Sequence, residues 1–247
     1  MKKLKKILSC LGGFLAVTAL MSQTSAMDFK VVLLGTSGVG KTSVLKRRFT
    51  GGFESDPAAT VGYDFFKEES NTTDAQGHQN MICFIDTAGQ ERFASVSANF
   101  VRGSHVAILM VSKDKSDSVS EDAVDRIVNL VLDYAPDSRV ILVGNKVDLD
   151  TDDMLSEGGF GEVVEKLAIR IGNKLTGVPE DSGDKENNNA IEHFFTSART
   201  GEGVNELFDA IRDIVDNQMQ PSIGQNLDMN LDITKSEPHD KKTCCKK

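Results

Sequence analysis

The chain has 247 residues, with 28 basic and 37 acidic side chains and a formal charge of −9. Its apolar fraction of 39%, with 21 glycines added, approaches the ~45–50% of ordinary globular domains, which excludes wholesale disorder and a collagen-like chain. The acidic balance excludes a broad nucleic-acid surface, and four cysteines, at 10, 83, 244 and 245, make no disulfide scaffold.

Met1–Ala26 carries lysines at 2, 3, 5 and 6, an apolar run Ile7–Leu20, and the small residues Thr24-Ser25-Ala26. This is the pattern of a secretory signal. The run is short of the ~20 residues that span a bilayer. The segment reads as an export signal, as a membrane-surface anchor, or as an over-long start with Met27 as the true first residue. Cys10 lies early in the run, the wrong place for a lipid-modified cysteine at a cleavage site, so it reads as plain apolar.

A single domain is expected over residues 27–216. Phe29–Leu34 is a β-branched, nearly continuous apolar run, as a strand buried on both faces should be. Met81–Ile85, His105–Val111 and Val140–Val143 are of the same kind, and Phe194–Thr196 is a shorter strand. Apolar residues recur at helical spacing from Val124 to Leu132, from Phe160 to Ile171 and from Val204 to Val215. Strands alternating with helices predict a mostly parallel sheet covered on both faces. Asp74–His78 reads as a hairpin turn, so one edge strand is expected to be antiparallel. Glu180–Asn189 is polar apart from one glycine and reads as a floppy insertion near 173–190. From Asn217 the chain turns polar and reads as a disordered tail over 217–247, with Cys244 and Cys245 near its end.

Gly35-Thr36-Ser37-Gly38-Val39-Gly40-Lys41-Thr42 fits G-x-x-x-x-G-K-[ST] between a predicted strand and a predicted helix. Such a loop curls its N–H groups inward and, with the helix N-terminus, makes a nest for polyanionic phosphate. Lys41 is expected to reach the β- and γ-phosphates, and the Thr42 hydroxyl to ligate Mg²⁺. Asn145-Lys146-Val147-Asp148 follows another predicted strand. A carboxylate there accepts two hydrogen bonds from guanine N1–H and N2–H₂, whereas adenine would leave Asp148 unpaired at ~1–3 kcal/mol or more per lost bond. Asn145 is expected to tie this loop to the phosphate loop, and the Lys146 stem to stack on the base. Asp86-Thr87-Ala88-Gly89-Gln90-Glu91 follows the strand MICFI. Asp86 is expected to hold Mg²⁺ through a water, the Gly89 N–H to contact the γ-phosphate, and Gln90 to orient the attacking water. Ser197, Ala198 and Arg199 are expected to offer backbone N–H groups to the guanine carbonyl. His78, His105, His193 and His239 lack metal-site spacing.

With these motifs in order from about Asp28 to Asp216, the chain resembles the Ras superfamily of small GTPases and, within it, the Rab branch. Gln90-Glu91-Arg92-Phe93, Arg102-Gly103 and the paired terminal cysteines are similar to Rab features. The resemblance implies an α/β fold, the P-loop GTPase or G domain, with a mostly parallel six-stranded sheet, one antiparallel edge strand and helices on both faces. It implies GTP/GDP and Mg²⁺ as ligands and GTP hydrolysis in a vesicle-trafficking switch. Lys41, Thr60 and Gln90 would be the catalytic residues, with Thr60 binding both Mg²⁺ and the γ-phosphate. Phe65, Ile85 and Phe100 occupy the effector-binding positions. The implied partners are effectors, an exchange factor and a GTPase-activating protein, around a monomer held at the cytoplasmic face of a membrane by prenylated Cys244 and Cys245.

Some positions depart from that pattern. Ile85 and Phe100 replace the usual Trp and Tyr, Arg199 replaces Lys, and two lysines follow the cysteine pair. The segment 50–66 contains no Lys or Arg, so no arginine is supplied from it and unaided hydrolysis is expected to be slow. Two rival readings stand beside the main one. One is a hydrolysis-poor GTP-binding interaction module, in its sharpest form an exported Rab mimic from an intracellular bacterium. The other is an ATP-using P-loop enzyme, against which Asp148 argues.

Overall fold

The computed structural model describes residues 28–55, 60, 62–74, 77–88, 94–149, 159–178 and 189–219. The leader, the insertion from Glu180 to Asn188, Gly89, Gln90 and the tail with Cys244 and Cys245 lie outside the described residues.

Six strands form one sheet: β1 (Asp28–Leu34), β2 (Tyr63–Thr73), β3 (Gln79–Thr87), β4 (Val106–Ser112), β5 (Arg139–Asn145) and β6 (His193–Thr196). They lie in the order β2-β3-β1-β4-β5-β6, with only β2 antiparallel to its neighbour. The helices are α1 (Lys41–Thr50), α2 (Ala94–Val101), α3 (Glu121–Tyr134), α4 (Gly159–Thr176) and α5 (Val204–Met219). The expected α/β architecture is therefore present, antiparallel edge included. At the β2–β3 turn, the Asp74 N–H donates to the His78 carbonyl at 2.9 Å and the Gly77 N–H to the Asp74 carbonyl at 3.0 Å. No helix among the described residues is long and apolar enough to cross a membrane.

The continuous apolar runs are explained by two cores, one on each face of the sheet. Val31 and Leu33 point into the layer made with α1 and α5, and Val32 and Leu34 into the layer made with α3 and α4. Side chains alternate along a strand, so a strand covered on both faces must be apolar at every position. In the first layer Phe84 and Phe208 are fully buried, with ring centroids 5.0 Å apart, and Phe49 meets both.

β2 escaped prediction as a defined strand because its sequence, YDFFKEESNTT, is mostly polar. It is held by its ladder to β3 and by Glu68, which pairs with Arg48 of α1 at 3.3 Å and Arg212 of α5 at 3.1 Å. Starting from β1, the chain pairs β3 on one side and β4 on the other. The order thus reverses beside β1, and in such sheets ligands bind outside the carboxyl ends of the strands at the point of reversal.

Phe208→Ala should destabilise the domain by about 3–5 kcal/mol, the usual cost of emptying a buried aromatic position. Urea denaturation of the variant and the parent measures it, and a loss under ~1 kcal/mol would show that this face of the sheet is not closely packed.

Candidate functional site

The carboxyl ends of β1, β3, β4, β5 and β6 converge on one cavity of about 700 Å³. Its walls include Ser37, Gly38 and Gly40 from the loop after β1, Lys41 and Thr42 at the start of α1, Thr60 ahead of β2, Asp114 and Lys115 after β4, Asn145, Lys146 and Asp148 at and after the end of β5, and Ala198 and Arg199 after β6.

The loop after β1 needs its glycines. Gly40 has φ 99°, in the left-handed region, and a Cβ there would overlap the Asn145 amide. Gly35 has φ 148°, and a Cβ there would run into the Met110 carbonyl. Lys41, the first residue of α1, is 5% exposed. Its Nζ donates to the carbonyls of Gly35 at 2.9 Å and Thr36 at 3.1 Å. Burial lowers its ammonium to about 8, with the nearby Asp86 carboxylate acting in the opposite sense.

Beside it stands an oxygen cluster. Thr42 Oγ1 lies 2.7 Å from Thr60 Oγ1 and donates to Asp86 Oδ2 at 2.5 Å, and Thr60 Oγ1 donates to the same oxygen at 3.4 Å. Asp86 is fully buried, and burial pushes its carboxyl up against the pull of the two threonine hydroxyls and Lys41. Asp86 Oδ1 has no hydrogen-bond partner among the described residues.

At the other end of the cavity, the Asn145 amide donates to the Val39 carbonyl at 2.8 Å and accepts from Thr196 Oγ1 at 3.0 Å. Lys146 has φ 64°, unusual for a residue with a Cβ, and its ammonium meets Asp114 Oδ2 at 2.8 Å. Burial would raise the Asp114 carboxyl, but the Lys146 ammonium and the Ser112 hydroxyl together hold it below the ordinary carboxylate value. Asp148 Oδ1 accepts from Ser197 Oγ at 2.6 Å, which aims its carboxylate beside the turn after β6.

The glycine-bent loop with its buried Lys41 and the Asp148 carboxylate thus share one cavity at the strand ends. The family model of the Ras family matches residues 30–217. The chain belongs to the Ras family. This Ras-family chain is 31% identical over 219 residues to the Ras-related protein RabC of Dictyostelium discoideum, covering 88% of its own length and 97% of that protein. It is 33% identical over 183 residues to Rab-4 of the same organism, with coverages of 72% and 75%. It is 28% identical over 238 residues to SEC4 of Saccharomyces cerevisiae, with coverages of 95% and 100%. It is a Rab-like GTPase, and members of its family bind GTP and GDP with Mg²⁺.

The oxygen cluster suits that metal. Two hydroxyls and a carboxylate are hard ligands, and the unpartnered, buried Asp86 Oδ1 has room for a further bond. No group of three His, Cys, Asp or Glu that could hold a metal occurs among the described residues, so a metal here depends on the threonines.

Most of the expected nucleotide residues meet in the cavity. Val39 does not line it: its side chain is fully buried in the core and its carbonyl accepts from the Asn145 amide. The expectation for Ile85 needs correction. It is 3% exposed and packed within the α3–α4 layer, so its side chain lies beneath the surface. Tyr63 stands beside Phe65 and Phe100 instead. The Tyr63 and Phe100 ring centroids are 4.3 Å apart, those of Tyr63 and Phe65 5.2 Å, and Tyr63 and Phe65 are each about half exposed. Sequence reasoning also missed Phe53, an exposed aromatic on the cavity wall, and Asp114 and Lys115, which no motif signals. For Phe53, an aromatic straight after the flexible Gly51-Gly52 pair was the available signal.

An unfolded lysine keeps its proton to ~10.4, whereas folded Lys41 releases it near 8. Between those values the unfolded state binds more protons, so stability of the nucleotide-free protein should rise with pH across that window. Denaturation midpoints at pH 8 and pH 10 should show this rise in the parent and a smaller one in Lys41→Met. An equal rise in both would place the titration elsewhere.

Proposed function

We propose that this GTPase is a switch of membrane traffic that holds GTP or GDP in the 700 Å³ cavity and exposes a different surface with each. One observation carries the reading: the Asp148 carboxylate, aimed by Ser197, stands in the same cavity as the loop that Lys41 closes. Guanine presents N1–H and N2–H₂ to such a carboxylate, and adenine presents neither. Phe53 and the Lys146 stem offer flat and apolar surfaces for the base. The inward N–H groups from Gly35 to Thr42, with the Lys41 ammonium, take the polyphosphate.

Thr42 and Thr60, with Asp86 through a water, would hold Mg²⁺. When bound, the metal neutralises charge developing on the transferred phosphoryl group. Gln90 orients a water whose oxygen bonds to the γ-phosphorus as the bond to the bridging oxygen breaks, and the water proton ends on the released phosphate. Loss of the γ-phosphate frees Thr60 and Gly89, which changes the surface that begins at Tyr63. Tyr63, Phe65 and Phe100 then serve as the effector-reading patch. An exchange factor and an activating partner complete the cycle, and lipid on Cys244 and Cys245 supplies the two membrane signals that stable anchoring needs.

Asp148→Ala should weaken GDP binding by about 10²–10⁴-fold, from two charge-assisted hydrogen bonds at ~1.5–3 kcal/mol each. Titration with a fluorescent GDP measures it, and equal affinity of the parent for GDP and ADP would overturn the reading. Because residues 50–66 contain no Lys or Arg, single-turnover phosphate release by the GTP-loaded protein alone should be slow. A partner that supplies an arginine should accelerate it about 10³–10⁵-fold, and fast release without one would contradict this account.

A further inference from the structure

Arg47 lies in the last turn of α1, outside every nucleotide motif. Among the described residues its guanidinium donates to backbone carbonyls alone: Nε to Ala198 at 2.6 Å, Nη2 to Arg199, and Nη1 to Gly51 at 2.8 Å. One side chain therefore joins three segments: α1, the turn after β6, and the start of the stretch that leads to Thr60.

The turn after β6 is closed on itself. The Ser197 N–H donates to the Glu202 carbonyl at 2.9 Å, the Gly201 N–H to the Ser197 carbonyl at 2.8 Å, and the Thr200 N–H to Ser197 Oγ at 3.1 Å. Those bonds shape the turn, and Ser197 Oγ ties its start to Asp148 at 2.6 Å, while its Ala198 and Arg199 carbonyls face α1. Among the described residues, hydrogen bonds to the Ala198 and Arg199 carbonyls come only from Arg47. A peptide unit is planar and trans, so its C=O and N–H point in opposite directions. Drawing the Ala198 carbonyl toward α1 turns the N–H of the same peptide unit, that of Arg199, the other way. Ala198 and Arg199 both line the cavity, next to Asp148.

We propose that Arg47 is a positioning residue for guanine recognition, anchoring the turn after β6 so that its backbone N–H groups face the 6-oxo group of the base. This rests on the guanine-nucleotide reading above. Arg47 is not among the residues that line the cavity; it acts through the Ala198–Arg199 peptide. A guanidinium is suited to the task because its planar fork holds several donors in fixed relation, which a lysine ammonium cannot imitate.

The test pairs a variant with a ligand lacking the contacted atom. Dissociation constants are measured on the full chain with Mg²⁺ for GDP and for 2-aminopurine riboside diphosphate, which has no 6-oxo group and, lacking N1–H, keeps only the 2-amino donor toward Asp148, a loss shared by parent and variant that cancels in their ratio. Arg47→Ala should raise the GDP constant about 10–100-fold and the analogue's less than about threefold, and Arg47→Lys should fall between parent and Ala for GDP. Equal weakening of both ligands would show a merely structural role and overturn the proposal, as would an unchanged GDP constant. If Arg47→Ala does not fold, Arg47→Lys decides by the same comparison, with selective weakening of GDP expected and parallel or absent weakening overturning it. A parent that fails to prefer GDP over ADP would sink the guanine reading instead, so the two failures are distinct.

Discussion

A buried amide holds the site together. Asn145 is 1% exposed, so both ends of its side chain must find partners inside the protein. They find the Val39 carbonyl and the Thr196 hydroxyl, which belong to the loop after β1 and to β6. Parallel strands bring these segments to one edge of the sheet, but pairing leaves the loops beyond the strand ends free to drift. The amide removes that freedom by making one loop's position a condition for satisfying the others. Gly40 completes the arrangement, since any side chain there would occupy the space of the amide.

Around this anchor the cavity stores charge under strain. Lys41 and Asp86 are both removed from water, and burial acts against the charged form of each, lowering the ammonium and raising the carboxyl. Lys41 is satisfied by the carbonyls of its own loop, and one Asp86 oxygen has no partner among the described residues. A polyphosphate with its metal would add further opposite charge beside each. Binding of that kind stabilises the folded state by mass action.

The β2 edge of the sheet is built differently. β2 has little apolar sequence and is kept in place by its β3 partner and by Glu68 between two arginines. Its exposed end carries Tyr63 and Phe65, which Phe100 of α2 joins, above the buried Ile85. β2 is thus held by ladder bonds and ion pairs rather than by two apolar faces.

The sequence alone determined the strand–helix alternation, the antiparallel edge and the nucleotide motifs, because each is a local pattern: a continuous apolar run, a turn, or a few residues at fixed spacing after a strand. Only the tertiary structure decided that Ile85 is covered, that Lys146 pairs with Asp114, and that Arg47 grips a turn 151 positions away in the chain. The apolar run containing Ile85 reads alike whether a helix or solvent covers it. Arg47 and Asp114 belong to no motif, because their partners are set by which strand ends lie side by side, and that neighbourhood does not exist until the sheet has formed.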